Sequence, residues 1–265
     1  MTTPNTWAVR EVALATFYDL KTNKARIQLQ NLKTSGLENT ADIVYAMGGR
    51  GNARIVGFSG NRGGRVTLQD AVFTNEVIAM MSGNDIVEGA ANVFQREVLN
   101  VAGDKASVTA TPLNATNGLI SVYEMNEDGT HGEEIQFVSG SVTAGHYTLS
   151  GKELTFNAGE FADGTKLVAY YQAASASDSK KITISSDKFA GTYKVVLDCL
   201  VRNTIDEQDY AAQIVINKAK MEDNWNLTMA AEGDPSVFDI PMEILKPPGS
   251  TEMYTMTIYD ESQVV

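Results

Sequence analysis

The residue types that most often carry enzyme chemistry are sparse in this chain of 265 residues. Its two histidines, His131 and His146, stand beside predicted turns and lack the spacing of metal ligands. The sequence contains no HExxH, GxSxG or CxxC motif and no dinucleotide fingerprint. Its single cysteine, Cys199, has apolar neighbours, which predicts a buried small side chain and not a nucleophile. We therefore predict no catalytic residue, no metal site and no cofactor.

Acidic residues cluster at Glu133-Glu134 and at Asp206-Glu207-Asp209. Acid–base catalysis needs two carboxylates held across a cleft in different environments, whereas adjacent acids in a turn are typical of solvated surface. A calcium-binding loop needs oxygen ligands at wider spacing than the second cluster offers. Both clusters are therefore interpreted as surface, and the sequence favours a protein that is not an enzyme.

The most unusual composition lies in the segment Met47–Asp70, which is rich in glycine and arginine. It contains seven glycines and the arginines Arg50, Arg54, Arg62 and Arg65. A phosphate-binding loop would end in lysine followed by serine or threonine, and two short Arg-Gly repeats give little support for RNA contact. The pattern favours a long hairpin with a glycine-rich turn, whose arms would be Ala53–Phe58 and Arg65–Val72. In an acidic protein, such a basic hairpin is expected to reach acidic surface on a neighbouring subunit.

The charge of the chain is strongly negative and unevenly distributed. The formal net charge is −12, of which residues 1–103 carry +1, residues 104–175 carry −6 and residues 176–265 carry −7. Because like charges repel, this balance disfavours binding to nucleic acid or to an anionic membrane. No apolar run approaches the ~20 residues of a transmembrane helix, and the N-terminal residues lack the pattern of a signal peptide. We expect a protein without a membrane anchor that remains in a cytoplasm.

A single helix is predicted over Thr74–Gly83. Thr74 can cap the first turn, Phe73 and Ile78 have the spacing of a hydrophobic staple, and Gly83 suits the left-handed position that ends a helix. One face of this helix is apolar and should pack on a sheet; it comprises Val77, Ile78, Met80 and Met81.

Alternating apolar and polar residues predict strands in most of the remaining chain. Residues 12–32 have the pattern of a hairpin, and short turns are expected at 35–36 and 38–39. Toward the C-terminus four successive strands are predicted around 214–216, 225–229, 238–244 and 254–258, with turns at 218–223, 232–235 and 246–250. Pro241 lacks a backbone donor, so its strand is expected at a sheet edge or a bulge. An open edge is a surface to which another subunit can add.

Residues 104–175 have a different pattern from the rest of the chain. Hairpin signals at 127–129, 150–152 and 162–164 separate short strands, which is typical of a small sandwich. The small residues 173–179 have the composition of a linker. We therefore predict one β domain formed by residues 1–103 and 176–265, with 104–175 inserted as a second domain.

Three stretches carry a likeness to a known family: Val66–Gly83, Phe189–Tyr193, and Ile216–Leu245 with its GDPSVF sequence. Together with the preceding glycine-rich segment, their arrangement resembles the major tail tube proteins of long-tailed bacteriophages. Residues 104–175, which include GHYTLSGKELTFNAG, look like the immunoglobulin-like domains of many phage virion proteins. The resemblance implies an all-β fold with one short helix: a tail-tube-type β-sandwich or barrel plus a small inserted immunoglobulin-like sandwich.

The resemblance also implies a function and a set of partners. Copies of the chain would join into rings, typically of six subunits, and stacked rings would form a tube. Phage DNA would pass through its commonly acidic lumen without specific binding, and other tail proteins would be further partners. The protein would belong to the virion tail and be assembled in the bacterial host cytoplasm, with the inserted domain outside the tube. The long hairpin would contact the next ring, so the expected inter-ring contacts are Arg50, Arg54, Arg62 and Arg65.

Two other functions remain open at this point. Another virion component, such as a head decoration or a tail-fibre protein, would form trimers or monomers instead of tubes. A carbohydrate-binding module would bind sugars with exposed aromatic side chains. The candidates for that role are Tyr123, Tyr147, Tyr170 and Tyr171.

Overall fold

The computed structural model describes residues 3–229, 231–232 and 236–264. They divide into two compact units: unit 1 comprises residues 1–86 and 182–265, and unit 2 comprises residues 87–181. Regular structure is almost entirely β-strand with one short α-helix, which confirms the predicted fold class. Within the described residues, no helix has the length and apolar character needed to cross a membrane.

The elements follow one another in three groups along the chain. Unit 1 begins with β1 (Trp7–Val9), β2 (Leu14–Asp19), β3 (Ala25–Leu29), β4 (Leu32–Gly48), β5 (Ala53–Asp70) and the helix α1 (Asn75–Ser82). Unit 2 contains β6 (Val87–Glu88), β7 (Asn92–Asn100), β8 (Lys105–Ser107), β9 (Ser121–Met125), β10 (His131–Glu134), β11 (Gln136–Phe137), β12 (His146–Ser150), β13 (Glu153–Phe156), β14 (Lys166–Ala174) and β15 (Lys180–Lys181). The chain returns to unit 1 with β16 (Thr192–Asn203), β17 (Asp209–Met221), β18 (Phe238–Ile244), β19 (Tyr254–Tyr259) and a 3-10 turn (Glu261–Gln263).

Unit 1 is built on a nine-stranded sheet in the order β3-β2-β16-β17-β18-β5-β4. β1 adds beside the end of β16, and β19 adds beside β17. Alternate residues point into one core because successive side chains of a strand lie on opposite faces. Phe17, Leu68, Val195, Ile216 and Ile240 are all fully buried there. The path of described strands ends at β3 and β4, so the sheet is not closed into a barrel.

The helix α1 lies where it was predicted. Thr74 has an extended backbone and accepts a hydrogen bond from the backbone N–H of Val77, and Gly83 ends the helix at φ 69°. The side chains of Val77, Met80 and Met81 are buried in the core of unit 1. Local signals were sufficient here because the cap and the stop residue act within one turn of the helix.

The C-terminal strands are confirmed except for one. Residues 225–229 form no strand; the Trp225 ring lies 5.8 Å from the ring of Phe238 and packs against the core of unit 1. The predicted turn at 218–223 was placed too early, since β17 continues to Met221. The turn predicted at 232–235 falls mainly on residues 233–235, which lie outside the described residues.

Pro241 does not lie at a sheet edge, because β18 stands between β17 and β5. Pairing of β18 with β17 covers only Met242 to Ile244, so Pro241 comes just before the first residue of that ladder. Its carbonyl oxygen accepts a hydrogen bond from the backbone N–H of Glu222. The missing N–H is therefore tolerated in an interior strand where the ladder ends.

Unit 2 contains two four-stranded sheets, in the orders β10-β9-β14-β7 and β11-β12-β13-β8, and the short pair β15-β6. Both sheets contribute to one core that includes Leu99, Val122, Tyr147, Leu154 and Tyr171. Residues 87–103 and 176–181, predicted as part of the larger domain, lie in this unit instead. The reason is that β7 pairs with β14 along its whole length, from Asn100–Lys166 to Asn92–Ala174. The two segments that enter and leave unit 2, β6 and β15, pair with each other.

Gly83 should be among the residues least tolerant of substitution in unit 1. A Cβ atom there would overlap the carbonyl oxygen of Phe189, in addition to the strain of a positive φ. We expect Gly83→Ala to lower the free energy of unfolding by about 2–4 kcal/mol. Gly249→Ala is the matched control because Gly249 has a similar φ of 73° and open space around it. It should cost only about 1 kcal/mol. Equal losses in chemical denaturation would contradict the steric explanation.

Residues 90–176 should fold when expressed alone. They hold the complete core of unit 2, and their ends are joined by hydrogen bonds between Ala91 and Ser175. We expect a cooperative thermal transition by circular dichroism and well-dispersed amide signals by NMR. A chain without a cooperative transition would show that unit 2 depends on the remainder of the protein.

Candidate assembly surface

The strands β4 and β5 continue far beyond the sheet to which they belong. They pair with each other from Leu32–Asp70 to Gly48–Ala53, whereas β18 accompanies β5 only from Asp70 to Arg65. Beyond the pair Asn39–Gly64 the two strands have no further strand beside them among the described residues. We call residues 39–64 the ribbon. At about 3.3 Å per residue it is about 30 Å long.

The turn of this hairpin was predicted in the wrong place. The hairpin itself is present, but its turn is formed by residues 49–52, where Gly49, Gly51 and Asn52 have φ values of 75°, 85° and 50°. The glycines at 60, 63 and 64, which were expected at the turn between the two arms, lie inside β5. There Asn61, at φ 50°, marks a bulge and donates a hydrogen bond to Asp42 at 3.0 Å. Residues 35–39, expected as turns, belong to β4 for the same reason, since β5 supplies their partners.

Both faces of the ribbon carry exposed apolar side chains. The strand register places Val44 opposite Phe58 and Ala46 opposite Val56 on one face. Because successive side chains of a strand alternate between faces, the adjacent residues Ile43 and Ile55 lie on the other face. The large exposed side chains of the two faces are Ile43, Val44, Met47, Ile55, Val56 and Phe58.

The exposure of these side chains is large for apolar residues in regular structure. Val44 is 70% exposed, Ile55 66% and Phe58 61%, whereas Val66 and Leu68 further along β5 are fully buried. An isolated two-stranded hairpin is marginally stable in water, and contiguous exposed apolar surface marks interaction sites. The ribbon therefore has the character of a surface that another molecule covers.

The four arginines predicted as contacts do not form one cluster. Arg50 lies in the turn, and the Arg54 guanidinium lies 4.2 Å from the centre of the Tyr45 ring. Arg62 lies near the base of the ribbon, where it lines a polar groove of about 510 Å³ together with Glu252. Arg65 lies within the sheet, where it forms an ion pair of 2.8 Å with Glu222. Within the described part of the chain, only Arg65 of the four has a carboxylate partner.

Tyr45 is a residue of this surface that sequence reasoning missed. A Cβ atom at Gly57 would lie 3.2 Å from the Tyr45 ring, so the ring occupies the space that glycine leaves free. The ring in turn holds Arg54 by a cation–π contact. The available signal was the near-continuous apolar sequence at 43–47 and 55–58, which does not alternate as a strand with one solvated face would.

The four tyrosines considered for sugar binding divide into two pairs. Tyr147 and Tyr171 are each only 1% exposed and belong to the core of unit 2, so they are excluded as surface residues. Tyr123 and Tyr170 lie in neighbouring strands with His131, whose ring stacks on Tyr123 at 4.6 Å. The Tyr170 hydroxyl is 2.9 Å from Nε2 of His131 and accepts a hydrogen bond from Arg96.

Groups that could perform chemistry are scattered in the structure. His146, the first residue of β12, contacts Thr143 and the backbone of Ala144, which closely precede it in the chain. Cys199 is half-buried, and not fully buried as predicted, and its pKa is raised by burial and by the charge of Asp198. In the described ranges, no three His, Cys, Asp or Glu side chains come together as a metal site would require.

The sequence profile of the YomU/Tube protein family matches residues 7–258. The match includes the ribbon and spans the residues of both compact units. It supports the resemblance to phage tail tube proteins that was drawn from the sequence. No curated protein matches this chain.

Two substitutions on β5 should differ in their effect on stability, because one lies on the ribbon and the other in the core. Phe58→Thr should change the free energy of unfolding by less than about 0.5 kcal/mol, because its side chain is exposed. Leu68→Thr on the same strand should cost about 3 kcal/mol because its side chain is buried. Both are measured by denaturant titration of dilute protein. A large loss for Phe58→Thr would mean that the ribbon is covered within its own chain.

Proposed function

The chain belongs to the YomU/Tube protein family, a phage-associated family of tube structural proteins, and on this premise we propose that copies of it assemble into the wall of a phage tail tube. A member of a phage tail family is a virion component. Tube structural families are generally non-enzymatic, and we propose that this chain likewise has only a structural role.

The observation that carries the proposal is the ribbon. Full burial of an apolar side chain contributes roughly 1.5–3 kcal/mol, so covering six of them is worth on the order of 10 kcal/mol as an upper estimate. Association of two proteins costs roughly 4–15 kcal/mol in lost freedom of motion. The free energy gained by covering one ribbon is thus comparable to the free-energy cost of bringing two copies together. Stable assembly would require each subunit to make several contacts at once.

Free strand edges offer the additional contacts. β3 and β4 end the path of the nine-stranded sheet, and β19 has one neighbouring strand, β17, among the described residues. Backbone N–H and C=O groups at such edges can pair with a strand of another copy. We propose that edge pairing joins subunits into rings, with six as the number that the family resemblance implies. The ribbon would then connect each ring to the next.

The negative charge of the protein is consistent with a tube through which DNA passes. With a net charge of −12, the assembled wall would repel the phosphate backbone. We propose that phage DNA passes through the lumen without specific binding. Other tail proteins would contact the ends of the tube, and assembly would take place in the bacterial host cytoplasm.

Unit 2 is proposed to be an immunoglobulin-like domain carried by the tube subunit. Its two packed sheets, its size of 95 residues from 87 to 181 and its short hairpins support this assignment. One departure is the parallel pairing of β11 with β12 in its second sheet. The domain is entered and left through the paired strands β6 and β15, as expected of an insertion.

Electron microscopy of negatively stained protein tests the proposal. We expect wild-type protein to form hollow tubes or stacked rings as its concentration rises. A variant in which the two-residue turn Asn-Gly replaces residues 40–63 joins the facing residues Asn39 and Gly64 and keeps the sheet intact. It should remain folded but form no tubes.

A matched control replaces Glu127 and Asp128 by alanine in an exposed turn of unit 2, and it should assemble like the wild type. Tubes of normal length from the shortened variant would contradict the role of the ribbon. Uniform small particles of the wild-type protein at every concentration would contradict the tube itself and favour a decoration or sugar-binding protein.

A further inference from the structure

A groove of about 590 Å³ lies in unit 1 beside the pairs that join Asp198 to Gln213 and Leu200 to Ala211. Much of its lining is apolar, and part of that lining is exposed. Val12 is 37% exposed and Leu14 40%, and Tyr259 lines the same groove. The groove therefore presents apolar surface that is open to a partner.

The charged residues of this groove are all acidic. Glu11, Asp198 and Glu261 line it, and its described lining contains no cationic side chain. Two arginines close to groove residues in the sequence, Arg10 and Arg202, are not part of this lining, and both form ion pairs with the same carboxylate, Asp209. The groove thus combines apolar surface with an excess of negative charge.

The ribbon has the complementary combination of properties. Its faces are apolar, and its end carries Arg50 and Arg54, neither of which has a carboxylate partner among the described residues. We propose that the ribbon of one copy lies in this groove of a second copy, with Arg50 and Arg54 facing the three carboxylates. The inference rests on the proposed self-assembly and specifies the surface that receives the ribbon.

Physical chemistry favours this occupant over others. A guanidinium that pairs with carboxylates in a desolvated site forms stronger hydrogen bonds than neutral groups do, and charge complementarity selects the partner. Nucleic acid and anionic lipid would be repelled by the acidic groove. Another groove of unit 1, beside the base of the ribbon, is lined by Arg62 as well as by a single carboxylate, Glu252. It therefore offers no comparable excess of negative charge.

Cys199, the single cysteine of the chain, lines the acidic groove and allows a direct test. One additional cysteine is placed on the ribbon in each of four variants: Val44→Cys, Met47→Cys, Ile55→Cys and Phe58→Cys. A disulfide forms only where the two Cα atoms approach within about 7 Å. Because burial and Asp198 raise the pKa of the Cys199 thiol, oxidation is carried out with copper phenanthroline at about pH 8.5.

We expect at least one ribbon variant to form disulfide-linked dimers and longer ladders on non-reducing gels, at least tenfold above the control. Ser107→Cys, at an exposed position in unit 2, is that control. The bands must disappear when Cys199→Ala is added to the same variant. Mixing a ribbon variant that carries Cys199→Ala with wild-type protein should give a mixed dimer, which shows that the link joins two copies.

Oligomers that form without any link to Cys199 would overturn the groove as the receptor and leave the proposed tube standing. Absence of all oligomers would contradict both proposals.

A second measurement does not depend on thiol chemistry. Arg54→Glu and Glu261→Arg should each raise the protein concentration needed for assembly at least tenfold, and their combination should restore part of that loss. Losses that simply add in the double variant would also count against the contact.

Discussion

The backbone ladder between β4 and β5 is the interaction on which the proposed assembly depends. In its inner part the ladder is fixed by β18 and by Val66 and Leu68, whose side chains point into the core. The same two strands then leave the core and keep only each other. Because the same two strands pair through both regions, with bulges on the way, the folded sheet constrains the direction of the surface offered to a partner. Arg65 and Glu222 form an ion pair close to the point of departure.

The features that sequence reasoning predicted well depend on neighbours in the chain. Thr74 and Gly83 define α1 within a few residues, and the short turns of unit 2 connect strands that follow directly. The misplaced elements depend on distant partners. Glycine density suggested a turn at 59–64, but pairing with β4 made that segment a strand, and the turn lies at 49–52. The boundary of unit 2 was shifted likewise by the pairing of β7 with β14, far apart in sequence.

The candidate surface was only partly accessible from the sequence. Composition indicated a basic hairpin, and three of the four arginines indeed lie on the ribbon. Arg65 does not, because it lies in the part of β5 that pairs with β18. Its ion-pair partner Glu222 is distant in the sequence, and only the fold brings the two residues together. The exposed apolar faces were missed because apolar residues in a strand are ordinarily assigned to a core. A strand with apolar residues on both faces needs two buried faces, and the fold supplies neither here.

The pairing of β6 with β15 has a consequence for how such a chain can evolve. Val87 faces Lys181, and Glu88 faces Lys180, so a whole folded module is attached through two adjacent positions of the backbone. A module attached in this way can be exchanged for another of any size whose ends lie equally close, without shifting the register of a single strand in unit 1. The junction is therefore a site at which a domain can be inserted or replaced independently of the strands of the larger sheet.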